Sequence, residues 1–257
     1  MRLAPLGLAV LALLAAGSPL GSAAARGPGQ PVIVELFTAE GCSACPPADA
    51  LLDRLAREQP VAGAEIVALE LHVDYFDSGG TVDPFAQASF GARQAEYLRA
   101  FGKRGAYTPQ LVVDGQREIA GSREREAQDA VAEAARGQRA KVQIARSGDR
   151  LAVTVDGLAE LGGSDALDLM LAVTEEGLSS HALGGESNGR AGVHGPVVRE
   201  LRKVSTVSGS GGRAPVQVKD VAVNVDASWR RENVRAVAFV QRPRTLEIVG
   251  AAVVSME

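Results

Sequence analysis

Apolar and polar positions follow two rhythms along this chain. Val32-Ile33-Val34-Glu35-Leu36-Phe37 and Ile66-Val67-Ala68-Leu69-Glu70-Leu71 are short, rich in β-branched residues and nearly continuous in apolar character, the pattern of strands covered on both faces. Between them Ala48, Leu51, Leu52 and Leu55 recur at i, i+3, i+4 and i+7, which predicts an amphipathic helix. Pro46 and Pro47 fall in its first turn, where a missing N–H costs little. Residues 72–83 form a loop. Asp83 and Pro84 predict the cap and first residue of a second helix, with Phe85, Ala88, Ala92, Ala95 and Leu98 on its apolar face and an end near Gly102. Gln110–Val113 and Arg117–Ala120 flank Asp114-Gly115, a hairpin signal. Ser122 predicts the cap of a third helix ending at Gly137.

After Gly137 the rhythm changes. Strand-like runs at 142–145, 151–155, 167–173, 216–225, 234–241 and 246–254 are separated by Gly, Ser and Asp, and helical spacing recurs only at 196–204. This predicts an α/β domain over 26–139, then a β-rich, sandwich-like domain over 140–257. An apolar content of 46% supports sizeable cores. Aromatic content of 4% and a net charge of −4 argue against a stacking platform or basic footprint for nucleic acid.

The first 25 residues follow a third pattern. Arg2 precedes an apolar run over 6–16, Pro19 and Gly21 break it, and Ala23-Ala24-Ala25 offers a small-residue cleavage site. This is the layout of a secretory signal peptide. The run falls well short of the ~20 residues that span a bilayer. The expected destination is periplasmic or secreted, with no membrane span once the leader is removed.

Export changes the meaning of the two cysteines, Cys42 and Cys45, because thiols pair in oxidising compartments. Cys42-Ser43-Ala44-Cys45 stands between the first strand and first helix. A helix N-terminus favours a thiolate, the nucleophile of thiol–disulfide exchange. Cys42 is the expected attacking thiol and Cys45, three residues on, the resolving one. The order β-α-β-α-β-β-α around this motif resembles a thioredoxin domain: a mixed sheet with C-x-x-C at a helix N-terminus. That resemblance implies that Pro109 is a cis-proline facing the cysteines and that the backbone of Thr108 pairs with an extended substrate. It also implies that Glu35, an acid inside an apolar strand, passes a proton to Cys45. His72, Asp74 and Tyr75 follow the C-terminal end of the second strand, where ligands of α/β proteins bind, and are expected to contact substrate.

Three longer stretches carry a narrower resemblance. Glu35 through Asp49, His72-Val73-Asp74-Tyr75-Phe76-Asp77 and Tyr107-Thr108-Pro109-Gln110 are similar to motifs of a secreted bacterial thioredoxin-like family known as domain of unknown function 1223. Gly185 through Arg190 with His194 resembles a fourth motif more loosely. The resemblance implies fold and export more than a reaction. The expected function is an exported thiol–disulfide oxidoreductase acting on protein or small-molecule thiols and disulfides. The alternative is a non-catalytic thioredoxin-fold binding protein that holds a protein partner or a soft metal such as Cu(I) on its two thiolates. No cofactor or resident metal is expected. Zinc usually takes four ligands, and the chain has three histidines, His72, His181 and His194.

Overall fold

A computed structural model describes residues 29–77, 82–161, 166–181, 191–208 and 214–257. The leader and the Gly185–Arg190 motif lie outside the described residues. Strand β1 (Gln30–Thr38) and strand β2 (Ala64–His72) pair in parallel, Val32 opposite Ile66 and Thr38 opposite His72. Helix α1 (Pro46–Glu58) connects them. Successive strand residues point to opposite faces, so β1 divides its side chains between two cores. Val32, Val34 and Leu36 meet Leu51, Leu52 and Leu55 of α1 and Ala127, Ala130 and Val131 of α3 (Glu124–Ala134). Ile33 and Phe37 meet Phe90 and Tyr97 of α2 (Ala88–Ala100) on the other face. The hairpin of β3 (Gln110–Val113) and β4 (Arg117–Ala120) adds antiparallel to β1, Glu35 opposite Val112. Asp114 at its turn has φ 46° and Gly115 φ 65°, the left-handed conformations that an Asp-Gly turn supplies.

The second half contributes β5 (Lys141–Ser147), β6 (Arg150–Asp156), β7 (Leu167–Glu175), β8 (Ser179–His181), β9 (Ala191–Val193), β10 (Val197–Val207), β11 (Val216–Ala222), β12 (Val234–Gln241) and β13 (Ile248–Ser255). Its larger group of strands extends the first half's sheet, in the order β13-β12-β7-β10-β2-β1-β3-β4. The seam is narrow: β10 joins β2 in parallel at Val197 opposite Glu70, and Glu70 N–H donates to the Pro196 carbonyl at 3.0 Å. A three-stranded sheet, β11-β6-β5, buries Val153 and Val155 of β6 against Leu169, Leu171, Ala236 and Ala238. The architecture is thus a mixed sheet with helices plus a β-rich half, the two sharing one sheet.

Three local expectations are corrected. Residues 197–204 are strand, not helix. Pairing of β10 with β7 shifts register between Val198 and Glu200 and again between Lys203 and Ser205. The first bulge inserts Arg199, so Val198 and Leu201, which pack on the same core, stand three apart as on a helix, and the second leaves Val204 unpaired and packed on the other core. The second helix starts at Ala88 rather than Pro84, because Asp83 is engaged elsewhere: its carboxylate accepts from the backbone N–H of Glu40 and of Phe85 and bonds His72. Arg123, not Ser122, occupies the N-cap of α3, with no side-chain capping bond.

Candidate functional site

Cys42 and Cys45 form a disulfide at the end of β1, where a turn over Glu40–Ala44 leads into α1. Cys45 is the N-cap, and its carbonyl accepts from Ala48 and Asp49. Pro46 and Pro47 bring no N–H and the Ala48 N–H is already used, so the helix dipole acts here with few free donors. Cys42 is 4% exposed and Cys45 fully buried. The Thr108–Pro109 bond is cis. Pro109 lies beside the first turn of α1: a Cβ on Gly121 would meet Pro109 Cβ at 2.8 Å and Ala48 Cβ at 2.9 Å.

Gln94, fully buried on α2, ties further expected residues to this edge. Its Oε1 accepts from the Tyr75 hydroxyl at 3.1 Å, and its Nε2 donates to the Tyr107 carbonyl at 2.8 Å and to Gln110 Oε1 at 3.0 Å. Tyr75, 44% exposed, therefore stands next to the Thr108–Pro109 segment. Asp74 begins a short 3-10 turn, and its carbonyl closes that turn by accepting from Asp77 N–H.

Glu35 occupies a different environment from the one expected of a proton carrier. It projects toward α2, where Arg93 Nε and Nη2 donate to its two oxygens at 2.5 and 3.0 Å and the Tyr97 hydroxyl donates to Oε2. Arg93 Nη1 also reaches Gln241 Oε1 of β12 at 3.2 Å. Burial opposes the charged guanidinium, yet the facing Glu35 carboxylate outweighs that and raises the Arg93 pKa. Glu35 is thus locked in a buried ion pair that joins the two halves. The carboxyl nearest Cys45 in sequence is Asp49, one helical turn on. It is buried, accepts from Thr38 Oγ1 at 2.6 Å, and burial together with the charge of Glu70 pushes its pKa up to about 7.

His72 turns away from Tyr75 into a second buried network at the seam. Its Nδ1 lies 2.8 Å from Asp83 Oδ2 and its Nε2 3.1 Å from Glu70 Oε1. His194, on the approach to β10, places Nδ1 2.7 Å from the same Glu70 oxygen. The other nitrogen of His194 meets Glu40 Oε1 at 2.7 Å and Ser180 Oγ at 2.8 Å. Glu70 Oε2 accepts from Gly195 N–H at 2.8 Å. Burial disfavours both imidazolium forms, but the adjoining carboxylates prevail and push His72 up to about 10 and His194 up to about 9. Burial would raise the carboxyls as well; hydrogen bonds and the charges of the imidazoles instead hold Glu70 down at about 2 and lower Glu40 and Asp83.

A profile described as "Protein of unknown function (DUF1223)" matches residues 33–241. The chain belongs to the DUF1223 family. Its fold is similar to the crystal structure of protein AGR_C_4864 from Agrobacterium tumefaciens, with TM-score 0.69 and 24% identity, over 90% of this chain and 96% of that one. It is also similar to HBP35 of Porphyromonas gingivalis, with TM-score 0.59 and 16% identity, over 89% of this chain and 76% of that one. At these identities both likenesses concern the fold alone. No curated protein matches the chain.

Of the residues expected from sequence, Cys42, Cys45, Thr108, Pro109 and Tyr75 gather around the start of α1 and its neighbouring hairpin edge. His72 enters the seam network, where Asp83 rather than Asp74 is its partner. Sequence reasoning assigned no site role to Glu40, Asp49, Glu70 or Arg93, and read Asp83 only as a helix cap. A usable signal existed for Glu70, an acid inside an apolar strand two residues from His72, and for Asp49, a carboxyl at i+4 from Cys45 on the buried stripe of α1.

Proposed function

We propose that this DUF1223 protein is an exported thiol–disulfide oxidoreductase built on a thioredoxin-like half. The observation that carries the reading is the Cys42–Cys45 pair, linked across the entry to α1 with Cys45 sealed and Cys42 outermost. The cis Thr108–Pro109 segment beside the first turn of α1 supports it, as does the signal-peptide layout of residues 1–25. An incoming thiolate attacks Cys42 Sγ, and the S–S bonding electrons leave on Cys45, which becomes a thiolate. We assign the supply of its proton to Asp49, a buried acid one helical turn after Cys45 whose pKa is pushed up to about 7, since both oxygens of Glu35 are held by Arg93. A second substrate thiolate then attacks the substrate sulfur of the mixed disulfide and releases Cys42 as a thiolate. Run backwards, the same steps transfer the disulfide to this protein. The Thr108 backbone offers an edge for the substrate chain.

The test is exchange with a dithiol or disulfide substrate, compared with Cys42→Ser and Asp49→Asn. Cys42→Ser is expected to abolish exchange, and Asp49→Asn to slow it and alter its pH profile near 7. Limiting iodoacetamide on the reduced protein is expected to label Cys42 ahead of Cys45. Turnover that survives Cys42→Ser, or preferential labelling of Cys45, overturns the reading.

A further inference from the structure

The seam network has a feature that hydrogen bonding between neutral groups does not explain. Each imidazole has an outer and an inner nitrogen. The outer ones, His72 Nδ1 and His194 Nε2, are held by Asp83 at 2.8 Å and Glu40 at 2.7 Å. The inner ones, His72 Nε2 and His194 Nδ1, converge on one atom, Glu70 Oε1, at 3.1 and 2.7 Å. A neutral imidazole that donates from its outer nitrogen presents a lone pair on the inner one. Three lone-pair atoms, all within 4.8 Å of one another and from three buried residues, repel unless positive charge stands among them. Two additional protons supply it, and so does one divalent cation.

The outer contacts favour the cation. A carboxylate on the far nitrogen of a histidine fixes the tautomer and orients the ring toward a metal, and here both rings have one. The remaining oxygens are anchored too: Glu70 Oε2 by Gly195 N–H, Asp83 by the N–H groups of Glu40 and Phe85. Three carboxylates against two imidazoles leave the network with surplus negative charge. His194, Gly195 and Pro196 also line a cleft of about 550 Å³, a route for an ion and room for a further ligand. We propose that Glu70, His72 and His194 form a binding site for a first-row divalent cation of the Zn2+ type, with Asp83 and Glu40 orienting the two imidazoles. Two nitrogens and one carboxylate oxygen suit Zn2+ or Fe2+, and the three protein ligands leave a coordination position for a water or substrate atom. None of the three proposed ligands is a cysteine, so the coordination needs no thiolate.

The test uses the full mature chain in its disulfide form, stripped with chelator and titrated with Zn2+, then with Co2+ as a spectroscopic probe. One equivalent of Zn2+ is expected. The Co2+ spectrum is expected to show visible d–d bands without thiolate charge transfer, and to be unchanged in Cys42→Ser/Cys45→Ser. Glu70→Gln and His194→Asn are expected to remove binding, and Asp83→Asn to weaken it 10- to 100-fold. Absence of stoichiometric uptake by the wild-type chain overturns the proposal. So does uptake that survives in folded Glu70→Gln and His194→Asn, or that follows the cysteines. If those two variants do not fold, the wild-type stoichiometry and Co2+ spectrum decide alone.

Discussion

Two buried ionic networks tie the halves of this molecule together, and they are built on opposite principles. In the first, Glu35 of β1 meets Arg93 of α2, with Tyr97 and Gln241 closing the remaining contacts. One anion faces one cation, and the guanidinium fork holds both carboxylate oxygens. In the second, Glu40, Glu70 and Asp83 surround His72 and His194, whose charge depends on protonation. The positive charge of the first network is a guanidinium, which keeps its proton at any ordinary pH. The second is complete only while something positive occupies its centre. A permanently charged fork serves to join two elements, whereas a titratable, carboxylate-rich cluster is suited to exchange protons or bind a cation.

The sharpest way to break this contrast is Arg93→Met. It leaves Glu35 buried without a counter-charge, and unpaired buried charge costs about 3–5 kcal/mol. Urea unfolding is expected to show a loss of that order, largely recovered in Glu35→Leu/Arg93→Met, where no charge is left stranded. A loss below about 1 kcal/mol in the single variant would mean that the pair contributes little.

The next effect separates the networks by pH. The folded pKa values of His72 and His194 lie above their unfolded values near 6.5, so the folded state binds more protons at alkaline pH. Their contribution is fully present below about pH 6.5 and lost as pH rises through about 9 to 10. Asp49, raised to about 7, acts in the same direction between about pH 4 and 7. Glu70, held at about 2, contributes above about pH 4.5 and loses that contribution as pH falls toward 2. Metal-free protein is therefore expected to be most stable near pH 4–5 and to weaken by a few kcal/mol toward pH 10. His72→Gln should flatten the alkaline limb while the charge-free Glu35→Leu/Arg93→Met leaves its slope unchanged. A denaturant midpoint that is flat from pH 6 to 10 in the wild type contradicts this account.

Smaller effects locate the supports of the cluster. Asp83→Asn removes the charge opposite His72 and is expected to cost about 1–3 kcal/mol and to lower the midpoint of the alkaline limb. Ser180→Ala removes a hydroxyl that bonds His194 and Glu40 and is expected to cost about 0.5–1.5 kcal/mol. If Ser180→Ala proves the more damaging, the hydroxyl and not Asp83 organises the imidazoles.

Much of the first half was legible because its signals are local. The stripe of α1, the continuous apolar character of β1 and β2 and the Asp-Gly turn are set by neighbours in sequence, and each element lies within a few residues of its expected place. Strand β12 was legible for the same reason, since Val234–Gln241 carries a continuous apolar run from Ala236 to Val240. Residues 196–204 misled because two bulges disturb a period of two. Asp83 misled because a good N-cap residue in sequence was already committed to His72 and Glu40.

Sequence by itself determined the cysteine pair at a helix entry, the proline at 109, the strand–helix order of the first half and membership of its family. All of these follow from residue identity at fixed short spacings. Tertiary structure alone decided that Glu35 faces Arg93, 58 residues away, and that His194 meets Glu70 across 124 residues. No periodicity encodes such pairings. The first arises because α2 packs across β1, the second because β10 joins β2 at a single parallel contact, and in both places buried polar groups must find partners within hydrogen-bond reach wherever in the chain those partners originate.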